Sequence, residues 1–221
     1  MRIFCSDRDL LKYESEIFSG QTFSQFVLCK GTNATISNSY LSANNVDFIA
    51  SGVGEGNVIF VSDEVNGWQA VYEVVQCVLA GQIRLSVIRP SSDDTVVPVN
   101  DGVGLSFQVV SFKPVMYEVS YELARYFSLV PAVSESQYSV DDISDASVLR
   151  DAATFGSLAR LYAVMPFGND EIKNRRISDK HSYYLQRYYR SRETTCVSID
   201  TGDDGNSDAV IAGGQIEMKR G

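Results

Sequence analysis

The spacing of apolar positions changes character near the middle of the chain. Between Val46 and Phe112 apolar residues come in short runs rich in β-branched and aromatic side chains: Val46–Ile49, Asn57–Val61, Gln69–Val78, Ile83–Ile88 and Leu105–Phe112. Such runs suit a pleated, half-buried surface and predict strands. Turn signals separate them: Gly52-Val-Gly54-Glu-Gly56, Asn66-Gly67, Ala80-Gly81 and Asp101-Gly102. Asn66-Gly67 is the strongest hairpin signal, because both residues tolerate a left-handed backbone. Upstream, Leu10, Leu11, Tyr13, Ile17 and Phe18 recur at helical spacing behind a Ser6 or Asp7 cap and ahead of Gly20, so a short helix is expected. The polar stretch 21–45 is expected to hold two short strands, around Thr22–Leu28 and Ala34–Tyr40.

From Pro114 onward the period is helical. Met116, Val119, Leu123, Tyr126 and Phe127 share one face, with Pro114 suited to the first turn and Leu129-Val-Pro131 ending the helix. After a polar connector, the segment Asp141–Met165 carries a stripe from Val148, Leu149, Ala152 and Ala153 to Leu161, Tyr162 and Met165. Its width implies burial against two neighbours. Pro166-Phe-Gly168 breaks it, and Asp170–Arg192 interleaves Lys and Arg with tyrosines. These elements predict an α+β protein: a small antiparallel β-barrel or sandwich followed by, and packed with, a helical bundle of about three to four helices. The expected organisation is a β-rich domain over 21–113, a helical domain from 1–20 and 114–198, and an acidic turn with a C-terminal tail over 199–221.

The 221 residues suffice for a sizeable core. A net charge of −9 argues against a general nucleic-acid binder, which would carry a basic excess. The ordinary reading of that acidity is solubility; the sharper one is a surface that meets a basic partner or repels a polyanion. The four cysteines form no CxxC pair, and reduced thiols in a reducing cytosol are expected. No run approaches the ~20 apolar residues of a membrane helix, and the opening residues lack the apolar run of a signal peptide. A soluble protein made in the cytoplasm is therefore expected, with no membrane partner.

Candidate chemistry is sparse. The glycines at 52, 54 and 56 invite a phosphate-loop reading, but a strand rather than a helix follows them, and no Lys-Ser/Thr pair completes a P-loop. There is one histidine, His181, no GxSxG stretch and no carboxylate pair tied to a motif, so no enzymatic activity and no cofactor are expected. The acidic stretch Asp200–Asp208 makes Asp200, Asp204 and Asp208 weak metal candidates. An EF-hand needs oxygen ligands at its third and twelfth positions, and Gly202 and Ile211 stand there instead. The basic, tyrosine-dense segment suits base stacking or protein contact. In an acidic chain the protein reading prevails, since Arg and Tyr are the residues enriched where proteins meet. Arg187, Tyr188 and Arg190 are the expected interface residues there. Alternating apolar positions after Ala209 suggest a terminal strand pairing with an edge of this chain or of a partner, which adds Ile216, Met218 and Arg220.

The order of these features resembles the head–tail connector (adaptor) proteins of tailed bacteriophages and related prophage-like particles. The similarity runs through Ser6-Asp7-Arg8-Asp9-Leu10-Leu11 with Glu14, then Asp47-Phe48, Gly52-Val53-Gly54 and Val58. It continues through Tyr72-Glu73-Val74-Val75, Leu85-Ser86-Val87-Ile88-Arg89, Ser111-Phe112-Lys113-Pro114 and Tyr121-Glu122-Leu123-Ala124. Tyr183 and Tyr184, the turn Ile199–Gly205 and the ending Met218–Gly221 complete it, so nearly the whole chain is covered. Gly202 departs from the pattern, standing where similar proteins often place another Asp.

The resemblance implies a structural virion neck protein made in the host bacterial cytoplasm. Its copies would form a ring, usually a homo-dodecamer, between the portal protein and a tail-side stopper or terminator protein. DNA would pass through the lumen as non-specific cargo. The alternatives from other classes are a β-barrel ligand-binding or hydrolytic domain and a calcium-dependent interaction module using the acidic turn.

Overall fold

The computed structural model describes residues 2–19, 23–130, 138–166, 168–202 and 204–213. The protein is mixed α+β, with a closed six-stranded antiparallel barrel and four α-helices among the described residues. The chain divides into two compact units, Ser6–Phe112 and Met1–Cys5 with Lys113–Gly221. Residues 6–20, expected with the helices, belong to the first of these.

In Ser6–Phe112 the strands are β1 (Val27–Ser37), β2 (Tyr40–Ser42), β3 (Val58–Asp63), β4 (Trp68–Leu79), β5 (Gln82–Ser86) and β6 (Gly102–Val110). They close in the order β1-β2-β5-β4-β3-β6. Alternation puts one face of each strand inside. Ile59 and Val61 on β3 oppose Val109 and Phe107 on β6, and Leu41 on β2 opposes Ile83 on β5. All lie in the barrel core.

Two expectations change here. One bulged strand, β1, replaces the two expected over Thr22–Tyr40, while Gly20 and Thr22 lie outside the described residues. Asn38 and Ser39, with φ of 51° and 69°, then form the two-residue turn into β2 without any glycine. Val46–Ile49 is a turn rather than a strand. Asp47 accepts the Ala50 N–H at 2.8 Å, and Phe48 is fully buried in the barrel core. The Asn66-Gly67 hairpin joins β3 to β4 through a four-residue loop. Asp63 shapes it, accepting N–H groups of Val65 and Asn66 and the Asn66 amide, and these bonds hold its carboxyl below the usual value.

A short helix, α1 (Asp7–Leu11), is tied to this barrel. Ser6 donates from N and Oγ to the Asp9 carboxylate. Asp7 accepts the Phe112 N–H at 2.7 Å and the Asn57 amide at 2.9 Å. Glu73, fully buried on β4, binds Arg89 Nε directly and sits 3.8 Å from Arg8. Arg89 also donates to the carbonyls of Ser92 and Asp94. Phe112 is ringed edge-on by Phe18, Phe23 and Phe26 at 5.2–5.3 Å, a geometry that favours the ring quadrupoles.

The other unit holds α2 (Lys113–Tyr126), α3 (Arg150–Ala163), α4 (Glu171–Thr194) and a hairpin of β7 (Cys196–Ile199) with β8 (Ala209–Ala212). Pro114 sits in the first turn of α2 as expected. The helix stops before Pro131, where Ser128 turns left-handed at φ 55° and Leu129 N donates to Ala124 O at 2.7 Å. The segment read as one helix from Asp141 is two 3-10 turns, Val140–Asp142 and Ala146–Leu149, leading into α3. Ser139 and Asp145 cap those turns through their side chains. The wide apolar stripe of α3 does meet two neighbours: a Cβ on its Gly156 would lie 2.7 Å from Val119 of α2 and 3.0 Å from Tyr188 of α4.

The Glu73 cluster generates a stability prediction. Removing the carboxylate leaves two arginines at most 9% exposed facing a neutral group. Breaking such a buried pair costs about 3–5 kcal/mol. In the full chain, Glu73→Gln is expected to lower the unfolding free energy read from urea titration by about that amount, and a loss below about 1 kcal/mol would mean the carboxylate does not hold the cluster.

Candidate interaction surface

α4 leaves more of its surface outward than it buries, which makes it the candidate contact element of the helical unit. Asp170 starts it, accepting the N–H groups of Ile172 and Lys173 at 3.0 and 3.1 Å. Only Ile177, Tyr184 and Tyr188 are buried along its 24 residues, so it is polar on most of its circumference and held by a narrow stripe. Tyr184 stacks between Phe155 and Tyr162 of α3, with centroids 6.3 and 5.8 Å away. His181 Nδ1 lies 3.0 Å from the Ala159 carbonyl, so the one histidine is engaged by α3.

Tyr188 lies over Gly156 and donates its hydroxyl to Glu122 of α2 at 3.0 Å. Burial first, and the Glu122 charge second, push this phenol well above the usual tyrosine value of 10.0. Arg192 completes the seam, its guanidinium 4.5 Å from the Tyr126 ring, 4.6 Å from Tyr189 and 5.2 Å from Tyr188. Arg160 of α3 binds Glu118 and Glu122 of α2 at 2.9 and 2.5 Å.

The expected interface residues therefore divide. Arg190 is exposed. Arg187 is exposed but lies over its own neighbours, 4.5 Å from the Phe155 ring and bonded to Tyr183 Oη at 2.9 Å. Tyr188 is 4% exposed and packs inside the unit, so it is withdrawn from the outward set. Ile216, Met218 and Arg220 lie outside the described residues. The sequence reading passed over the outward face near the start of α4, where Ile172 is 84% and Tyr183 50% exposed. With Arg175, Arg176, Asp179 and Lys180 these line one open groove. An exposed isoleucine in the first turn of a polar helix was the available signal.

The acidic turn is built as a hairpin. Asp200 accepts N–H groups of Gly202, Asp204 and Gly205, and Asp208 accepts Thr201 N and Oγ1. Those bonds hold the Asp208 carboxyl below the usual value. Asp204 accepts the Asn206 N–H. Among the described residues no group of three or more His, Cys, Asp or Glu side chains is placed to hold a metal ion. β8 pairs with β7 of its own chain. Among the described residues no helix is long and apolar enough to cross a membrane.

Because the folded Tyr188 phenol titrates above its unfolded value, its contribution is fully present below about pH 10 and is lost as pH rises through the folded value. Tyr72, also raised by burial, adds to the same alkaline loss. Tyr188→Phe is expected to cost about 1 kcal/mol at pH 7, modest because Glu122 is 40% exposed. It should also shallow the fall in stability above pH 10 without abolishing it, as read by urea unfolding across pH. An unchanged alkaline slope would show that Tyr188 is not the titrating group. No protein-family model, curated protein or solved structure matches the chain.

Proposed function

We propose that this chain is a structural subunit of the neck of a tailed bacteriophage or related particle. In this reading it is an adaptor that joins the portal to the tail as a ring of copies and performs no bond-making chemistry. DNA crosses the ring's lumen as cargo. The resemblance in motif order supplies the identity, and the observation that carries the mode of action is α4. A helix of 24 residues with three buried side chains leaves most of its Arg- and Tyr-bearing surface outward, which suits work by contact.

Charge supports the same reading. The segment Ser6–Phe112 carries five Lys/Arg against twelve Asp/Glu, whereas Glu171–Thr194 carries seven Lys/Arg against three Asp/Glu. A cyclic assembly needs two unlike patches on each subunit that fit head to tail. A lumen for a polyanion works best lined with acidic or neutral groups, because cations would hold the DNA back.

Electron microscopy of the purified chain mixed with its cognate portal tests the proposal. A ring of this chain capping the portal is expected. A portal left bare at every mixing ratio, or particles whose necks are complete without this subunit, would overturn it.

A further inference from the structure

The helical unit is polarised along α4. α3 and α4 run antiparallel: Phe155, Ala159 and Tyr162 on α3 meet Arg187, His181 and Lys180 in turn on α4. The start of α3 therefore lies beside the C-terminal end of α4. The stretch before α3 is bonded to β7, the strand that follows that end, because Asp200 N donates to Asp142 O at 2.8 Å and Ser144 N to Ser198 O at 3.0 Å. Among the exposed side chains there, the carboxylates of Asp141, Asp145, Asp151, Glu193, Asp204 and Asp208 outnumber the cations of Arg2, Arg150, Arg187 and Arg190, leaving that end net acidic. At 1.5 Å per residue, Arg175 and Arg176 lie roughly 25–30 Å back along the helix. They share their groove with Lys180, Ile172 and Tyr183.

Resting on the assembly reading above, we infer that the groove on the N-terminal half of α4 receives the acidic end of the helical unit of a second copy of this chain. The two patches sit at opposite ends of one packed helix and are complementary rather than alike. Contact between them is heterologous, so it propagates from copy to copy instead of stopping at a dimer. Ile172 and Tyr183 give the cations an apolar and aromatic bed that a purely electrostatic contact would not need. A nucleic acid fits less well, since Asp179 lies within the groove and the chain as a whole is acidic.

Charge exchange tests the contact in the full chain, with no portal present. Sedimentation velocity of the wild type at low ionic strength is expected to show concentration-dependent association that added salt weakens. Arg175→Glu/Arg176→Glu and Asp141→Lys/Asp204→Lys should each sediment as monomers while keeping the wild-type circular dichroism. An equimolar mixture of the two variants should associate again, because every contact in an alternating array regains opposite charges.

A wild type that stays monomeric at all concentrations, or a mixture that fails to recover, overturns the inference. So does a short DNA duplex that binds the wild type and is lost with Arg175→Glu/Arg176→Glu. Failure here leaves capping of the portal to be judged by microscopy, and a bare portal leaves a positive charge-exchange result standing, so the two claims fail separately.

Discussion

The helical unit is organised around a side chain that is absent. Gly156 on α3 lets Val119 of α2 and Tyr188 of α4 approach where a Cβ would collide with Val119 and crowd the Tyr188 ring. With that gap filled by the Tyr188 ring, its hydroxyl reaches Glu122, and Arg192 settles over three tyrosines beside the same carboxylate. α4 is too polar to bury itself by hydrophobicity alone. This seam, together with the stacking of Tyr184, anchors it by one narrow stripe and leaves the rest of its surface outward.

The proposed contact role of the helix rests on that division. Inward-facing tyrosines and arginines fix its position on α3 and α2, so the outward Ile172, Arg175, Arg176 and Tyr183 are presented from a rigid rod rather than from a loop. Sites on rigid elements keep their geometry when a partner arrives. The barrel unit shows a comparable economy. Glu73 draws two arginines together in its interior, and α1 is held by backbone and side-chain bonds to Gly56, Asn57 and Phe112.

Much of this was legible from residue order. The strands from Val58 to Val110 follow directly from β-branched runs and Gly-marked turns, and α2 and α4 fall within a few residues of their expected limits. Where the reading failed, a local signal was ambiguous. Val46–Ile49 has strand composition, but three apolar residues in a run of four cannot distinguish a strand from a buried turn, and Asp47 capping settles it as a turn. Asn38 and Ser39 adopt left-handed conformations without glycine, so the β1–β2 hairpin carried no flag. On α4 the tyrosines come in adjacent pairs, and composition alone does not say which of each pair turns inward. The spacing Ile177, Tyr184, Tyr188 identifies the buried stripe in retrospect.

The measurement that bears most directly on this account is residue-resolved oxidative footprinting of the tyrosines, comparing the free chain with the chain assembled on a portal. The account predicts that Tyr184 and Tyr188 are protected in both states, whereas Tyr183 is reactive in the free chain and protected after assembly. Equal reactivity of Tyr183 in both states, or a Tyr188 that is reactive until assembly, would contradict it.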